Sequence, residues 1–102
     1  MARLVVMYGI PKDTAAFDRH YFDVHIPIAK KIPGLRKYTV SRGDVFTPAG
    51  PSKFHLIATL TFDDLAAIQN AFVSAEGQAA AADVQTFATG GADMIMFEEG
   101  NV

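Results

Sequence analysis

Three histidines and three tyrosines are the acid–base candidates of this 102-residue chain near neutral pH, beside any carboxylate that folding buries. His25 stands out by its position. Two residues on, Pro27 interrupts a helical pattern, so His25 sits beside carbonyls that a helix end leaves free. Those carbonyls would partner the ring and favour its protonated form. His20 lies on the flank of an apolar stripe and reads as a half-buried packing residue. The two are five residues apart, roughly 140° around an α-helix, and cannot grip one metal ion from one face. His55 falls in an apolar strand, on the side of Ile57, Thr59 and Thr61 rather than that of Phe54 and Leu56. Tyr38 alternates with Arg36 and Val40 and by itself reads as a core or interface aromatic.

Other chemistries lack their residues. The chain has no cysteine, which removes disulfides, thiolate nucleophiles and Cys-bound metals. It has no P-loop, nucleophile elbow or dinucleotide fingerprint, and Gly90-Gly91 reads as a turn. The acidic neighbours Asp63-Asp64 and Glu98-Glu99 point apart, as a helix start and a solvated tail. Gln78 to Asp83 reads as a small, close-packing helix face. Nine basic against eleven acidic residues exclude a strongly basic nucleic-acid binder. No apolar run nears the ~18 residues of a membrane span and the N-terminus lacks a signal-peptide profile, so a cytoplasmic protein is expected.

The elements that must position these groups follow from hydrophobic period and punctuation. Residues 3–8 form a short β-branched strand ended by Gly9 and Pro11. Asp13 caps a helix with Phe17, His20, Tyr21 and Val24 on one stripe, and Pro27 opens a short second helix to Lys31. Residues 35–42 read as a strand and 43–53 as a long loop. Residues 54–62 alternate as a third strand. Asp63 caps a helix that turns Leu65, Ile68 and Phe72 inward, Ser74 caps another to about Phe87, and Met94–Phe97 closes the chain as a strand. One domain over residues 1–102 is expected, of the α+β, ferredoxin-like βαββαβ type: a four-stranded antiparallel sheet with helices on one face. The first and last strands are apolar on both sides, so the helix-free face needs a cover. A second copy of the chain is the economical one, making a homodimer.

The segment from Tyr21 to Ala29, then Ile32-Pro33-Gly34-Leu35-Arg36-Lys37-Tyr38, resembles the EthD family, named for ethyl tert-butyl ether degradation. Ser74 to Asp83 and Phe87 to Gly91 fit the same family. The resemblance spans nearly the whole chain and implies a dimeric α+β barrel. In the wider superfamily, the spacing of His25, Pro33-Gly34-Leu35 and Tyr38 is similar to that of muconolactone methylisomerases, whose matching His and Tyr lie in the active site. Strand 54–62 resembles that of plant polyketide cyclases, with a pocket His at the position of His55. The chain departs from those cyclases at Ala71 and Gly77, where their Tyr and catalytic His would fall. Lacking Trp, it also departs from the haem-degrading members.

The resemblance implies His25, Tyr38 and His55 as acid–base residues, with Tyr8, Tyr21 and Phe22 lining a substrate pocket and neither metal nor cofactor. The expected function is isomerase-, cyclase- or lyase-type chemistry on a small hydrophobic carbonyl, lactone or aromatic compound. The alternative is a non-catalytic accessory protein that sequesters such a metabolite beside an oxygenase pathway.

Overall fold

A computed structural model describes residues 1–102. Strand β1 (Ala2–Gly9) leads through α1 (Thr14–His20), a π-helical turn (Tyr21–His25) and α2 (Ile26–Ala29) to β2 (Lys37–Val40). The segment read as a loop holds a two-residue hairpin, β3 (Phe46–Thr47) and β4 (Gly50–Pro51). The second half runs β5 (Phe54–Phe62), α3 (Leu65–Val73), α4 (Ala75–Phe87) and β6 (Ala92–Glu98).

The main sheet has the antiparallel order β2-β5-β1-β6. Its period-two pattern is visible in burial: Ala2, Leu4, Val6 and Tyr8 are buried, while Arg3, Val5 and Met7 are half-buried. Opposite them, Leu56, Ala58, Leu60 and Phe62 face the same core, joined by Phe17, Tyr21 and Ile68 from the helices. The molecule measures 17 Å along its shortest axis, one sheet and one helical layer. The other sheet face has no cover within the chain. Val5, Met7, Ile57, Ile95 and Phe97 share it by register, and Ile95 and Phe97 are exposed.

The helix after β1 departs from its expected stripe in an informative way. Asp13 caps it as expected, its carboxylate accepting from Ala16 N–H at 3.0 Å. Val24, however, is exposed, and His25 is buried at 4% exposure. The cause is the π turn, where Ile26 N–H bonds the carbonyl of Tyr21, five residues back. Pro27 supplies no N–H, and its ring would strike the carbonyl four residues earlier in a regular α-helix. The widened turn absorbs that clash without ending the helix. It also rotates His25 inward in place of Val24.

Two smaller corrections concern α3. Its cap is Asp64, which accepts from Ala67 N–H at 2.8 Å, while Asp63 forms a paired hydrogen bond with Arg36. Phe72, expected inside, is 36% exposed at the rim of the layer.

Candidate active site

A narrow apolar cleft of about 60 Å³ lies between the sheet and the helical layer, and 17 of its 19 lining residues are hydrophobic. His25, Tyr38, Tyr21 and Tyr8 all reach it. His25 Nδ1 donates to Asp83 Oδ2 at 2.9 Å, which places the proton of a neutral ring on Nδ1 and leaves Nε2 as its accepting nitrogen. The ring stacks on Tyr21 and tilts against Phe87, with centroids at 5.3 and 4.9 Å.

Burial pushes the His25 pKa down from its ordinary 6.5, outweighing the upward pull of the hydrogen bond and charge of Asp83. The expected preference for a protonated ring is thereby overturned. His25 sits inside a continuing helix among apolar neighbours, not against free carbonyls. Neutral and with a free lone pair, Nε2 is equipped to accept a proton.

The Tyr21 and Tyr38 hydroxyls lie 2.6 Å apart. Burial, then the charge and hydrogen bond of Tyr38, raises the Tyr21 pKa. Burial also raises Tyr38, whereas its bond to Tyr21 acts to lower it. Either hydroxyl of the pair can donate to the other, and both side chains line the cleft. Tyr8 is wholly buried, with its pKa also raised by burial, and packs edge-on against Phe17 and Tyr21.

Asp83 is the residue that sequence reasoning missed. Burial raises its pKa, but the hydrogen bonds and charges of His20 and His25 outweigh that and hold it below the usual carboxylate range. It was readable in principle. Ala80, Asp83, Val84 and Phe87 follow the i, i+3, i+4, i+7 stripe that α4 turns inward, and Asp83 is its one acid. His20 Nε2 meets the same carboxylate, at 2.9 and 3.1 Å. An ideal α-helix would hold His20 and His25 apart; across a π turn, residues five apart stack, and one carboxylate serves both.

His55 and Phe22 stand elsewhere. His55 Nε2 meets Asp18 at 2.7 Å and its ring packs edge-on against Phe17. It therefore faces α1, not the side of Ile57 and Thr59, because the β1–β5 register slips at Tyr8/Gly9 and leaves His55 as the extra residue. With the exposed Phe22, it borders a separate, polar, open groove that includes Ser41 and Arg42. Ala71 and Gly77, the positions at which a resemblance to polyketide cyclases breaks down, both line the apolar cleft. Gly77 has no space for any side chain: an added Cβ would lie 1.8 Å from the Ala71 carbonyl oxygen.

Strand order, layer arrangement and helix placement define a ferredoxin-like α+β protein. The chain belongs to the EthD family: the EthD domain model matches residues 11–91. It is 40% identical, over its full length and 98% of the relative, to an uncharacterized 11.0 kDa protein from the thcB-thcC intergenic region of Rhodococcus erythropolis. An ethyl tert-butyl ether degradation (EthD) family protein from Bacillus halodurans is similar at 39% identity and TM-score 0.90, covering 98% of this chain and 99% of that one. Hydroxynitrile lyase from Passiflora edulis shares the fold at 14% identity and TM-score 0.77, covering 99% of this chain and 94% of that one.

Proposed function

We propose that the protein is a cofactor-independent enzyme that moves a proton on a small hydrophobic carbonyl compound bound in the apolar cleft. One observation carries this reading: a His25–Asp83 pair whose imidazole lines the same cleft as Tyr38. In such a site, Asp83 orients the imidazole, and Nε2 removes a proton beside the carbonyl. The Tyr38 hydroxyl then donates a hydrogen bond to the oxyanion that develops. The same proton returns elsewhere on the compound in an isomerisation, passes to the leaving group in a lyase step, or passes to the alkoxide that ring closure forms in a cyclase step. No metal or redox group is needed for either. The cleft's free space of about 60 Å³, room for roughly two to five waters, suits the reactive end of a small ligand. The apolar lining selects a neutral one. That the same fold carries a lyase in Passiflora edulis supports the reading at the level of fold alone.

The helix-free sheet face is assigned to a second copy of the chain. Val5, Met7, Ile57, Ile95 and Phe97 form an apolar patch that a two-fold partner would cover with the same residues. His55, with Asp18, is assigned an auxiliary role in the open polar groove, apart from the proton-transfer step.

Metabolite capture from cell extract, followed by mass spectrometry, tests the enzyme reading. The expected result is a neutral carbonyl compound that the wild-type protein retains and converts and that His25→Asn retains unchanged. Retention with no conversion by the wild type would identify the accessory, sequestering protein instead.

A further inference from the structure

Asp83 accepts hydrogen bonds from two imidazoles that stand at opposite ends of a burial gradient. The side chain of His20 is 31% exposed, that of Asp83 11% and that of His25 6%. His20 Nε2 engages both carboxylate oxygens, so it holds the plane of the carboxylate and leaves Oδ2 directed at His25 Nδ1. Thr86 adds a weaker hydrogen bond to Oδ1 at 3.3 Å. Both imidazoles also pack on Phe87, with centroids at 5.0 and 4.9 Å, so neither ring is free to swing away.

We propose that His20 is a positioning residue for the cleft imidazole: through the shared Asp83 carboxylate it sets how strongly His25 Nε2 holds a proton. This rests on the reading of His25 as the proton acceptor, and it names the control built into that site. The logic is competitive. A carboxylate divided between two donors stabilises a proton on either one less than it would on one alone. A charge on His20 also opposes a second charge on His25 nearby. Removing His20 gives the whole of Asp83 to His25 and makes Nε2 a stronger base. Removing the Asp83 charge does the reverse and frees the ring to adopt either tautomer. The remaining titratable groups around His25 are the hydroxyls of Tyr8, Tyr21 and Tyr38, all with raised pKa values and hence neutral in the range where imidazoles titrate.

NMR of the imidazole groups in the full chain tests this without any substrate. The His25 pKa and its ring-nitrogen shifts are followed in wild type, His20→Gln and Asp83→Asn. The expected result is opposite movement: upward in His20→Gln, downward in Asp83→Asn, with the Nδ1–H tautomer dominant in the wild type and mixed in Asp83→Asn. An unchanged His25 pKa in folded His20→Gln, or movement in the same direction in both variants, would overturn the proposal. Should Asp83→Asn fail to fold, His20→Gln and a second variant, His20→Phe, still decide the sign. The readout is independent of turnover: a coupled but inactive protein would contradict the enzyme reading alone. An active protein without coupling would contradict this inference alone.

Discussion

At the scale of the residue, the proposed function turns on one imidazole that burial favours in its neutral form. His25 was readable as a candidate from its type and from Pro27, but its partner and its charge state were not. Both depend on Asp83, 58 residues away, and on the π turn, which periodicity at 3.6 residues cannot reveal. His25→Asn keeps a donor where Nδ1 stands and removes Nε2. It should lower turnover by roughly 10²- to 10⁴-fold while costing about 1–2 kcal/mol through lost packing on Tyr21 and Phe87. Tyr38→Phe should cost less in rate, because it deletes only a donor to the developing charge. Steady-state kinetics beside thermal unfolding separates the two effects.

The charge state of His25 has a consequence for stability. Because its folded pKa lies below the ordinary 6.5, the unfolded chain binds a proton that the folded chain refuses. Its contribution to stability is complete above that value and is lost as pH falls through it toward the folded pKa. Melting curves between about pH 8 and about pH 5 should show this acid destabilisation, and it should be smaller in His25→Asn. An equal dependence in both proteins would show that His25 is not the buried neutral group.

At the scale of the element, type and order were legible and local geometry only partly so. β5 runs over Phe54–Phe62 as its alternation predicts, and Ser74 caps α4 as expected, accepting from Gly77 N–H at 3.0 Å. Asp63 and Asp64 are equally good caps by type, and only the pairing of Asp63 with Arg36 separates them. The bulge that turns His55 toward α1 is likewise invisible in one strand, because it is a mismatch between two. The close approach of α3 and α4 supplies a sharp test. Gly77→Ala places a methyl against the Ala71 carbonyl, and neither backbone can yield without parting the helices that wall the cleft. Chemical denaturation should show a loss of about 2–4 kcal/mol, whereas an unperturbed midpoint would mean that the helices are not held that tightly.

At the scale of the whole molecule, the sheet has one face covered by its own helices and one left apolar and bare. The sequence carried this in strands that are hydrophobic on both sides, since such strands need cover twice. Ile57→Asp puts a carboxylate in the middle of that face, where a two-fold partner would strip it of water without offering a counter-charge. Light scattering should give the wild type the mass of two 11.0 kDa chains and the variant the mass of one. An Ile57→Asp protein that stays dimeric would move the interface elsewhere, and the wild type as a monomer would remove it.

Isotope exchange reads the proposed proton transfer by His25 without any assay of product. The captured compound is incubated with the protein in deuterated water, and its mass is followed with time. The wild type should introduce deuterium at the carbon beside the carbonyl at least about 10²-fold faster than His25→Asn does. Equal rates in the two proteins, or no exchange above the protein-free control, would contradict the assignment.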